Sequence, residues 1–173
     1  DASKYADLPD VKWTYTSAVG ESTIYNQAVQ MLADRLAEET GGKFTIDTYY
    51  AGALMNSIAE KDAVSRGTVQ MCCQAASILA DYADYLYPFS VAYNFKSYEH
   101  YRAVCDSELW AGIVEQVADD LNIRMMKSDY TGFRSLNLRG TKDIQTPEDM
   151  AGVKLRVSNN EATLFMAEHV LGA

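Results

Sequence analysis

Two arginines occupy positions where a permanent positive charge can hold an anion. Arg156 occurs in the run Val153-Lys154-Leu155-Arg156-Val157, whose alternation of apolar and charged residues predicts a β-strand. Arg134 lies in a second segment with an alternating pattern. A guanidinium group stays charged at physiological pH, and its planar fork of N–H donors matches a carboxylate. These residues predict either a site for a carboxylate ligand or structural ion pairs with Asp or Glu.

A short capped turn precedes the Arg156 run and fixes where it begins. Thr146 suits a helix N-cap, Pro147 suits the first helical position, and Gly152 suits the end of the turn. We therefore expect Arg156 to be placed by a defined turn. We also expect Arg134 and Arg156 to project from adjacent strands into one cavity.

Residues for enzymatic chemistry are sparse. His100 and His169 are the two histidines, and both occur in helical patterns with charged neighbours, which favours surface positions. The sequence contains no zinc-binding H-E-x-x-H, phosphate-binding loop or dinucleotide fingerprint, and no metal or other cofactor is expected. Cys72, Cys73 and Cys105 lack metal-ligand spacing. Buried, unreactive thiols are favoured for them, with a disulfide or a reactive nucleophile as the alternatives.

Charge and hydropathy limit the possible partners. The chain has 173 residues, a formal net charge of -9 and 48% hydrophobic residues, which argues for a globular protein and against nucleic-acid binding. No apolar run approaches the ~20 residues needed to span a membrane, so direct membrane insertion is not expected. The N-terminus has no signal-sequence pattern, which fits a cytosolic protein or a mature secreted one.

Strand and helix patterns alternate along the chain, which predicts an α/β fold with a parallel or mixed sheet. In the first helix we expect Ile24, Ala28, Met31, Leu32 and Leu36 to form the buried face. Ser57 and Glu60 predict a capping box for the second helix, and Ser97 can cap a helix that runs to about Cys105. Phe44, Ile46 and Thr48 alternate with polar residues, which predicts a strand with one buried face. Strands are predicted near 11–17, 43–48, 68–73, 123–126 and 153–157, and extended segments at 87–94 and around 133–138. Helices are predicted near 24–40, where Gly41-Gly42 ends the first one, and near 57–67, 76–83, 97–105, 107–121 and 160–171.

Several segments together resemble the solute-binding proteins of tripartite ATP-independent periplasmic (TRAP) transporters, the DctP-like family. The run from Thr146 to Val157 is similar to a family motif, and Gly132-Phe133-Arg134 precedes it as in the family. The resemblance extends collinearly from about Trp13 to Ala173. Its other parts are Glu39-Thr40-Gly41-Gly42-Lys43-Phe44-Thr45-Ile46, Tyr50-Ala51-Gly52-Ala53-Leu54, Gly67-Thr68-Val69-Gln70-Met71 and the segment from Phe95 to Val104.

The resemblance implies a type II periplasmic binding protein-like fold with two lobes that close on a ligand as a Venus flytrap. Residues 1–126 would form lobe one, and residues 127–173 would form the crossover and the beginning of lobe two. Family members are about twice this length. We therefore expect the remainder of lobe two to be absent from this sequence, and the apolar sides of 153–157 and 160–171 to lack partners.

The resemblance also implies the binding residues. Arg156 corresponds to the arginine that holds the substrate carboxylate, and Arg134 to a second arginine of the same cleft. Asn159 matches a family asparagine, although Ser158 stands where proline is usual and makes that placement looser. Ligands of open α/β sheets bind at the carboxyl ends of strands. Four more residues should therefore face the cleft: Thr16, Ser17, Gln74 and Ala75.

Two further expectations concern the ligand pocket. The segment Phe89–Phe95 has lost a family proline and gained Tyr93 and Asn94, which indicates either a repacked loop or extra polar and stacking contacts. Ala75 stands where some acid-sugar binders carry Glu, which disfavours a ligand of the sialic-acid type. One carboxylate-directed arginine fits dicarboxylates, sugar acids, keto acids and aromatic acids alike.

The resulting prediction is an extracytoplasmic solute-binding protein, located in the periplasm after removal of its signal peptide. It would capture an organic acid through an Arg–carboxylate contact and deliver it to the TRAP membrane permease subunits. A periplasmic ligand-binding sensor domain that docks a receptor is the alternative. A third possibility is an enzyme on a related fold that uses Cys72 or Cys73.

Overall fold

A computed structural model describes residues 2–126, 128–132, 134–140 and 142–173. The chain forms two compact units, and it passes between them after residues 75, 112 and 127. The sheet unit comprises residues 1–75 and 113–127, and the helical unit comprises residues 76–112 and 128–173. The predicted division into lobes at 126/127 concerns a larger two-lobed protein and stays a prediction.

The sheet unit contains a three-stranded parallel sheet. Its strands are β1 (Val11–Thr16), β2 (Phe44–Tyr49) and β3 (Met71–Cys72), in the order β2-β1-β3. Strand β1 is central, and it becomes more buried toward its carboxyl end. Parallel neighbours need crossover connections, which helices α1 (Ile24–Glu39) and α2 (Ser57–Ser65) supply.

Aromatic and aliphatic side chains fill the core of the sheet unit. Tyr15, Ala33 and Ile46 are buried at its centre. The rings of Trp13 and Phe44 meet edge to face at 4.9 Å. Gly41 and Gly42 take positive φ values of 62° and 84° where the chain turns from α1 into β2, as the glycine pair predicts.

The predicted buried face of α1 is only partly correct: Leu36 packs against the core and Leu32 is half-buried, but Ala28 is exposed. Ile24 and Met31 are 79% and 72% exposed, whereas Asn26 and Ala33 are buried. The helix is rotated because Asn26 finds three hydrogen-bond partners beneath it, so its polar side chain can be buried at low cost.

The N-terminus of α2 also differs from the prediction. Asn56 is the N-cap, and its Oδ1 accepts hydrogen bonds from the N–H groups of Ile58 (3.1 Å) and Ala59 (3.0 Å). Ser57 is the first residue of the helix, so the predicted Ser57–Glu60 capping box does not form. The carboxylate of Glu60 instead points into the sheet unit.

Replacing Asn56 with alanine is expected to lower the free energy of unfolding by about 1 kcal/mol, because two amide donors at the start of α2 lose their acceptor. Ser57→Ala is the matched control, and it should change that free energy by less than about 0.5 kcal/mol. Urea denaturation of both variants checks the assignment. A larger loss for Ser57→Ala would contradict it.

The helical unit is built from short helices. They are α3 (Ala76–Ala80), a 3-10 helix (Asp84–Phe89), α4 (Tyr98–Cys105), the first turn of α5 (Glu108–Leu121), a 3-10 turn (Pro147–Met150) and α6 (Glu161–Phe165), which continues as a π-helical turn (Met166–Val170). Ser97 caps α4 as predicted, since its Oγ accepts a hydrogen bond from the His100 N–H. The remainder of α5 lies in the sheet unit, where Val117 is completely buried.

Several predicted extended segments are not strands in the described part of the chain. Residues 84–89 form a 3-10 helix because the φ of Pro88 suits a tight turn, which makes the predicted extended segment at 87–94 wrong. Residues 123–126 and 153–157 belong to neither helix nor strand. A strand requires a neighbouring strand for its hydrogen bonds, and within the described residues nothing pairs with them.

Candidate functional site

The carboxyl ends of β1 and β3 bring together predicted site residues in the sheet unit. Thr16 ends the central strand opposite Cys72 of β3, and both Thr16 and Ser17 are completely buried. Gln74 follows β3 in a half-buried position, and Ala75 after it is exposed. Because parallel strands end at the same edge, residues distant in sequence meet here.

Glu60 of α2 links two of these predicted residues. Its Oε1 accepts a hydrogen bond from Thr16 Oγ1 at 3.2 Å, and its Oε2 accepts one from Gln74 Nε2 at 3.3 Å. Its side chain is 0% exposed. The sequence analysis missed this role, although Glu60 shares a helix face with Ala63 and Val64, and that spacing pointed inward.

The surroundings of Glu60 act on its ionisation in two directions. Burial raises the pKa of the Glu60 carboxyl above its ordinary value, because removal from water disfavours the charged form. Hydrogen bonds from the Thr16 hydroxyl and the Ala18 backbone oppose that effect. Because the pKa is raised on balance, protonation of Glu60 favours the folded state.

The pKa shift of Glu60 predicts a pH dependence of stability. The folded pKa lies above the unfolded one, so the contribution of Glu60 is greatest below the unfolded pKa of about 4.3 and is lost as pH rises through the folded pKa. As pH rises from the unfolded pKa through the folded pKa, the free energy of unfolding of the wild type should fall relative to that of Glu60→Gln, which does not titrate. Urea unfolding of both proteins across this pH range measures the difference. A difference independent of pH would contradict the shift.

A second buried polar pair fixes the loop that follows β1. The Tyr15 hydroxyl donates to Asn26 Oδ1 at 2.6 Å, and Asn26 Nδ2 donates to the carbonyls of Val19 (3.1 Å) and Gly20 (2.9 Å). Burial raises the pKa of Tyr15, which keeps its hydroxyl protonated as a donor. Asn26 thereby holds the chain directly after Ser17, a role that its position in a helical pattern does not indicate.

Arg156, Arg134 and Asn159 lie in the helical unit, and all three are exposed. Neither arginine lies in a strand of the described residues, so the expectation of adjacent strands is wrong, whereas a shared cavity stays a prediction. Within the described residues neither arginine contacts a carboxylate, so the structural ion-pair alternative finds no support there. In contrast, three other arginines pair with acidic side chains: Arg35, Arg102 and Arg124.

The turn before Arg156 has the predicted construction. Pro147–Met150 form a 3-10 turn, Thr146 is its N-cap, and Gly152 has a φ of 73°. Asp149 Oδ2 accepts hydrogen bonds from the backbone N–H groups of Gln145 (3.0 Å) and Thr146 (2.9 Å), which lower the pKa of that carboxyl. Met150 is buried and anchors the turn. The start of the Arg156 segment is therefore fixed, although no strand follows.

Tyr93 and Asn94 have different environments. Asn94 Nδ2 donates to the Pro88 carbonyl at 2.7 Å and closes the loop. Tyr93 is 98% exposed and has a φ of 61°, a left-handed conformation that is unfavourable for a bulky side chain. The structure thus presents Tyr93 on a strained loop. The predicted contact of Tyr93 with a ligand stays a prediction, and so does that of Arg134. Phe133, which precedes Arg134 in the family motif, lies outside the described residues.

The three cysteines share a partly buried environment. Cys72, Cys73 and Cys105 form no disulfide bond with one another and are half-buried. Burial raises the pKa of Cys72 to about 12, with the neighbouring Glu60 carboxyl adding to the effect, so its thiol stays protonated. In the part of the chain that is described, no three His, Cys, Asp or Glu side chains converge where they could hold a metal ion. No described helix is long and apolar enough to cross a membrane.

Comparison with known proteins identifies the family. Residues 15–173 match the family model of the bacterial extracellular solute-binding proteins, family 7 (DctP). The chain belongs to this family. The family resemblance inferred from the Arg156 motif is therefore confirmed, and the family consists of solute-binding proteins rather than enzymes.

Three relatives illustrate the similarity. A TRAP periplasmic solute-binding protein from Roseobacter denitrificans, solved with bound 3-deoxy-D-manno-oct-2-ulosonic acid, is 28% identical with a TM-score of 0.85, over 95% of this chain and 53% of that one. A monocarboxylate 2-oxoacid-binding periplasmic protein from Nostoc is 26% identical over 90% of this chain and 43% of its own. A solute-binding protein from Roseobacter denitrificans is 27% identical over 80% of this chain and 42% of its own.

The predicted fold class is confirmed by these structures. The DctP chain has the type II periplasmic binding fold of the TRAP solute-binding proteins. It spans about half the length of the relatives it matches.

Proposed function

We propose that this DctP-family chain takes part in capturing an organic acid, whose carboxylate is bound by the guanidinium of Arg156. The observation that carries the proposal is that Arg156 is exposed and contacts no carboxylate of the described residues, while it stands in the Leu155-Arg156-Val157 run of the family motif. Arg66 and Arg139 also lack such a partner there, so the motif position is what distinguishes Arg156.

The chemistry of known ligands supports the same class. The ligands in the names of two relatives, an ulosonic acid and a monocarboxylate 2-oxoacid, are both acids. A bidentate guanidinium–carboxylate pair is strong and directional, so it can orient acids with different remaining groups. Arg134 and Asn159 are proposed as further contacts of the ligand, together with Tyr93 and Asn94 in the same unit.

The proposal includes location and delivery. The mature protein would act in the periplasm after removal of a signal peptide and hand its ligand to the TRAP permease subunits. A ligand that binds one conformation better shifts the protein toward that conformation, which gives a permease a basis for recognising the loaded state. Transport of the acid by permease-containing vesicles should therefore require this protein.

The test of the binding proposal uses the natural full-length polypeptide. Native mass spectrometry of the purified protein should detect a retained small acid. Calorimetry with acids and their uncharged amides, such as succinate and succinamide, should show binding of the acid only. Equal binding of acid and amide would refute a carboxylate contact, since a neutral amide cannot form the charged pair.

A further inference from the structure

Three tyrosines connect helix α4 with the segment that enters the helical unit. Tyr98 and Tyr101 lie on α4, and the centres of their rings are 5.8 Å and 5.3 Å from the centre of the Tyr130 ring. All three belong to the helical unit, and Tyr130 follows shortly after position 127, where the chain leaves the sheet unit. We call these three residues the tyrosine clamp. It holds a segment that belongs to neither helix nor strand.

The hydroxyl of Tyr101 adds polar contacts to the ring contacts of the clamp. It forms a hydrogen bond with the Ser128 hydroxyl and donates to the Asp129 carbonyl at 3.4 Å. Tyr101 is 8% exposed, and burial raises its pKa to about 12, so the hydroxyl stays protonated. Its ring also meets the ring of Phe95 edge to face at 5.1 Å. Tyr101 is therefore held by aromatic packing and can in turn hold residues 128–130.

The stretch that follows the clamp carries Arg134 and has no such anchors. In the described part of 131–140, every residue is exposed and none makes a hydrogen bond, an ion pair or a ring contact. Farther along the described chain, the backbone is next anchored where the Gln145 and Thr146 amides donate to Asp149. Tyr130 is therefore the anchor nearest to Arg134 along the chain.

We propose that Tyr101 is a positioning residue for Arg134: by fixing residues 128–130, the tyrosine clamp shortens the free chain before Arg134 and limits the places that its guanidinium can take. This inference rests on the proposed function, which makes Arg134 a contact of the acid ligand. Ordering backbone and a long side chain during binding costs conformational entropy. An anchor that acts before the ligand arrives lowers that cost and so raises the affinity.

The first measurement tests the clamp without a ligand, on the natural full-length polypeptide. Tyr101→Phe keeps the ring contacts and loses the hydroxyl contacts, so NMR order parameters of residues 128–132 should fall from roughly 0.85 toward the 0.6 of flexible backbone. Tyr98→Phe is the matched control, because it removes a hydroxyl of the same helix that accepts from Arg102 instead. It should leave those order parameters unchanged. Order parameters that stay the same in Tyr101→Phe would refute the clamp.

The second measurement tests whether Tyr101 acts through Arg134. Calorimetry compares succinate, pyruvate, gluconate and any acid retained on the purified protein, and the acid that binds most tightly is used for all variants. Tyr101→Phe should weaken its binding about three- to tenfold, and Tyr98→Phe less than twofold. Ser128→Ala should reproduce the loss of Tyr101→Phe. In an Arg134→Gln background Tyr101→Phe should have no further effect, because the side chain that it positions is gone.

The outcomes separate this inference from the proposed function. If Arg134→Gln weakens binding but Tyr101→Phe does not, or if the two losses add, the positioning role is refuted and the proposed function stands. If Arg134→Gln leaves the affinity unchanged, Arg134 is no ligand contact and the positioning role falls with it, while the contact of Arg156 is decided by its own variant. If no acid binds, both proposals fail.

Discussion

Replacing Arg156 with lysine is expected to weaken binding of the acid ligand by about a hundredfold, or roughly 2–3 kcal/mol. Lysine keeps the positive charge but replaces the planar fork by a single ammonium, so one of two parallel hydrogen bonds to the carboxylate is lost. Because Arg156 is exposed and has no acidic partner in the described residues, the substitution breaks no internal ion pair there. Calorimetric titration with the retained ligand measures the effect.

Arg139→Lys is the matched control for this substitution. Arg139 is also exposed, also lacks a carboxylate partner among the described residues, and also lies in the helical unit, but it stands outside the Leu155-Arg156-Val157 run. It should leave the affinity within about twofold. Equal losses in the two variants would mean that the effect is not specific to position 156, since both substitutions keep the positive charge, and unchanged affinity in Arg156→Lys would exclude its proposed contact.

The parts of the fold that depend on local chemistry were predictable from the sequence. The Thr146 cap, Pro147 and Gly152 defined a turn that the structure contains, and the Ser97 cap is present as well. The alternation of Phe44, Ile46 and Thr48 identified β2. Each of these signals acts within a few residues of its cause, so no tertiary contact was needed to interpret it.

Features that depend on distant partners were not predictable. The strand expected at 153–157 had the correct alternation, but a strand forms only where another strand accepts its hydrogen bonds. The buried face of α1 was predicted from apolar residues. The helix instead buries Asn26, because the Tyr15 hydroxyl lies opposite and donates a hydrogen bond to it. Likewise Glu60 fitted a local capping box, whereas its partners Thr16 and Gln74 come from other elements.

The candidate site divides in the same way. The resemblance to a family motif indicated Arg156 and Arg134 directly. A motif shared by a family can point to ligand-binding residues, whereas the hydropathy pattern of one sequence cannot. The rule that ligands bind at strand ends indicated Thr16, Ser17 and Gln74. Neither source indicated Glu60 or Asn26, the buried groups that hold Thr16, Gln74 and the loop after Ser17 in place. Predicting them requires the three-dimensional register of helices on the sheet.

Asn26→Ala is expected to lower the free energy of unfolding of the sheet unit by about 3 kcal/mol. The Tyr15 hydroxyl would lose its acceptor in a completely buried position, the carbonyls of Val19 and Gly20 would lose a donor, and a small cavity would remain beneath α1. Urea denaturation followed by circular dichroism measures the loss. Faster hydrogen exchange of the β1 amides would place the damage in the sheet unit.

Two substitutions control this prediction. Gln27 is the exposed neighbour of Asn26 on α1, so Gln27→Ala should change the free energy of unfolding by less than about 0.5 kcal/mol. Tyr15→Phe removes only the hydroxyl that Asn26 accepts, and it should cost about 1–2 kcal/mol. In a double-mutant cycle the two losses should be less than additive, because both break one hydrogen bond. Additive losses, or an Asn26→Ala effect as small as that of Gln27→Ala, would show that this buried pair does not hold α1 on the sheet.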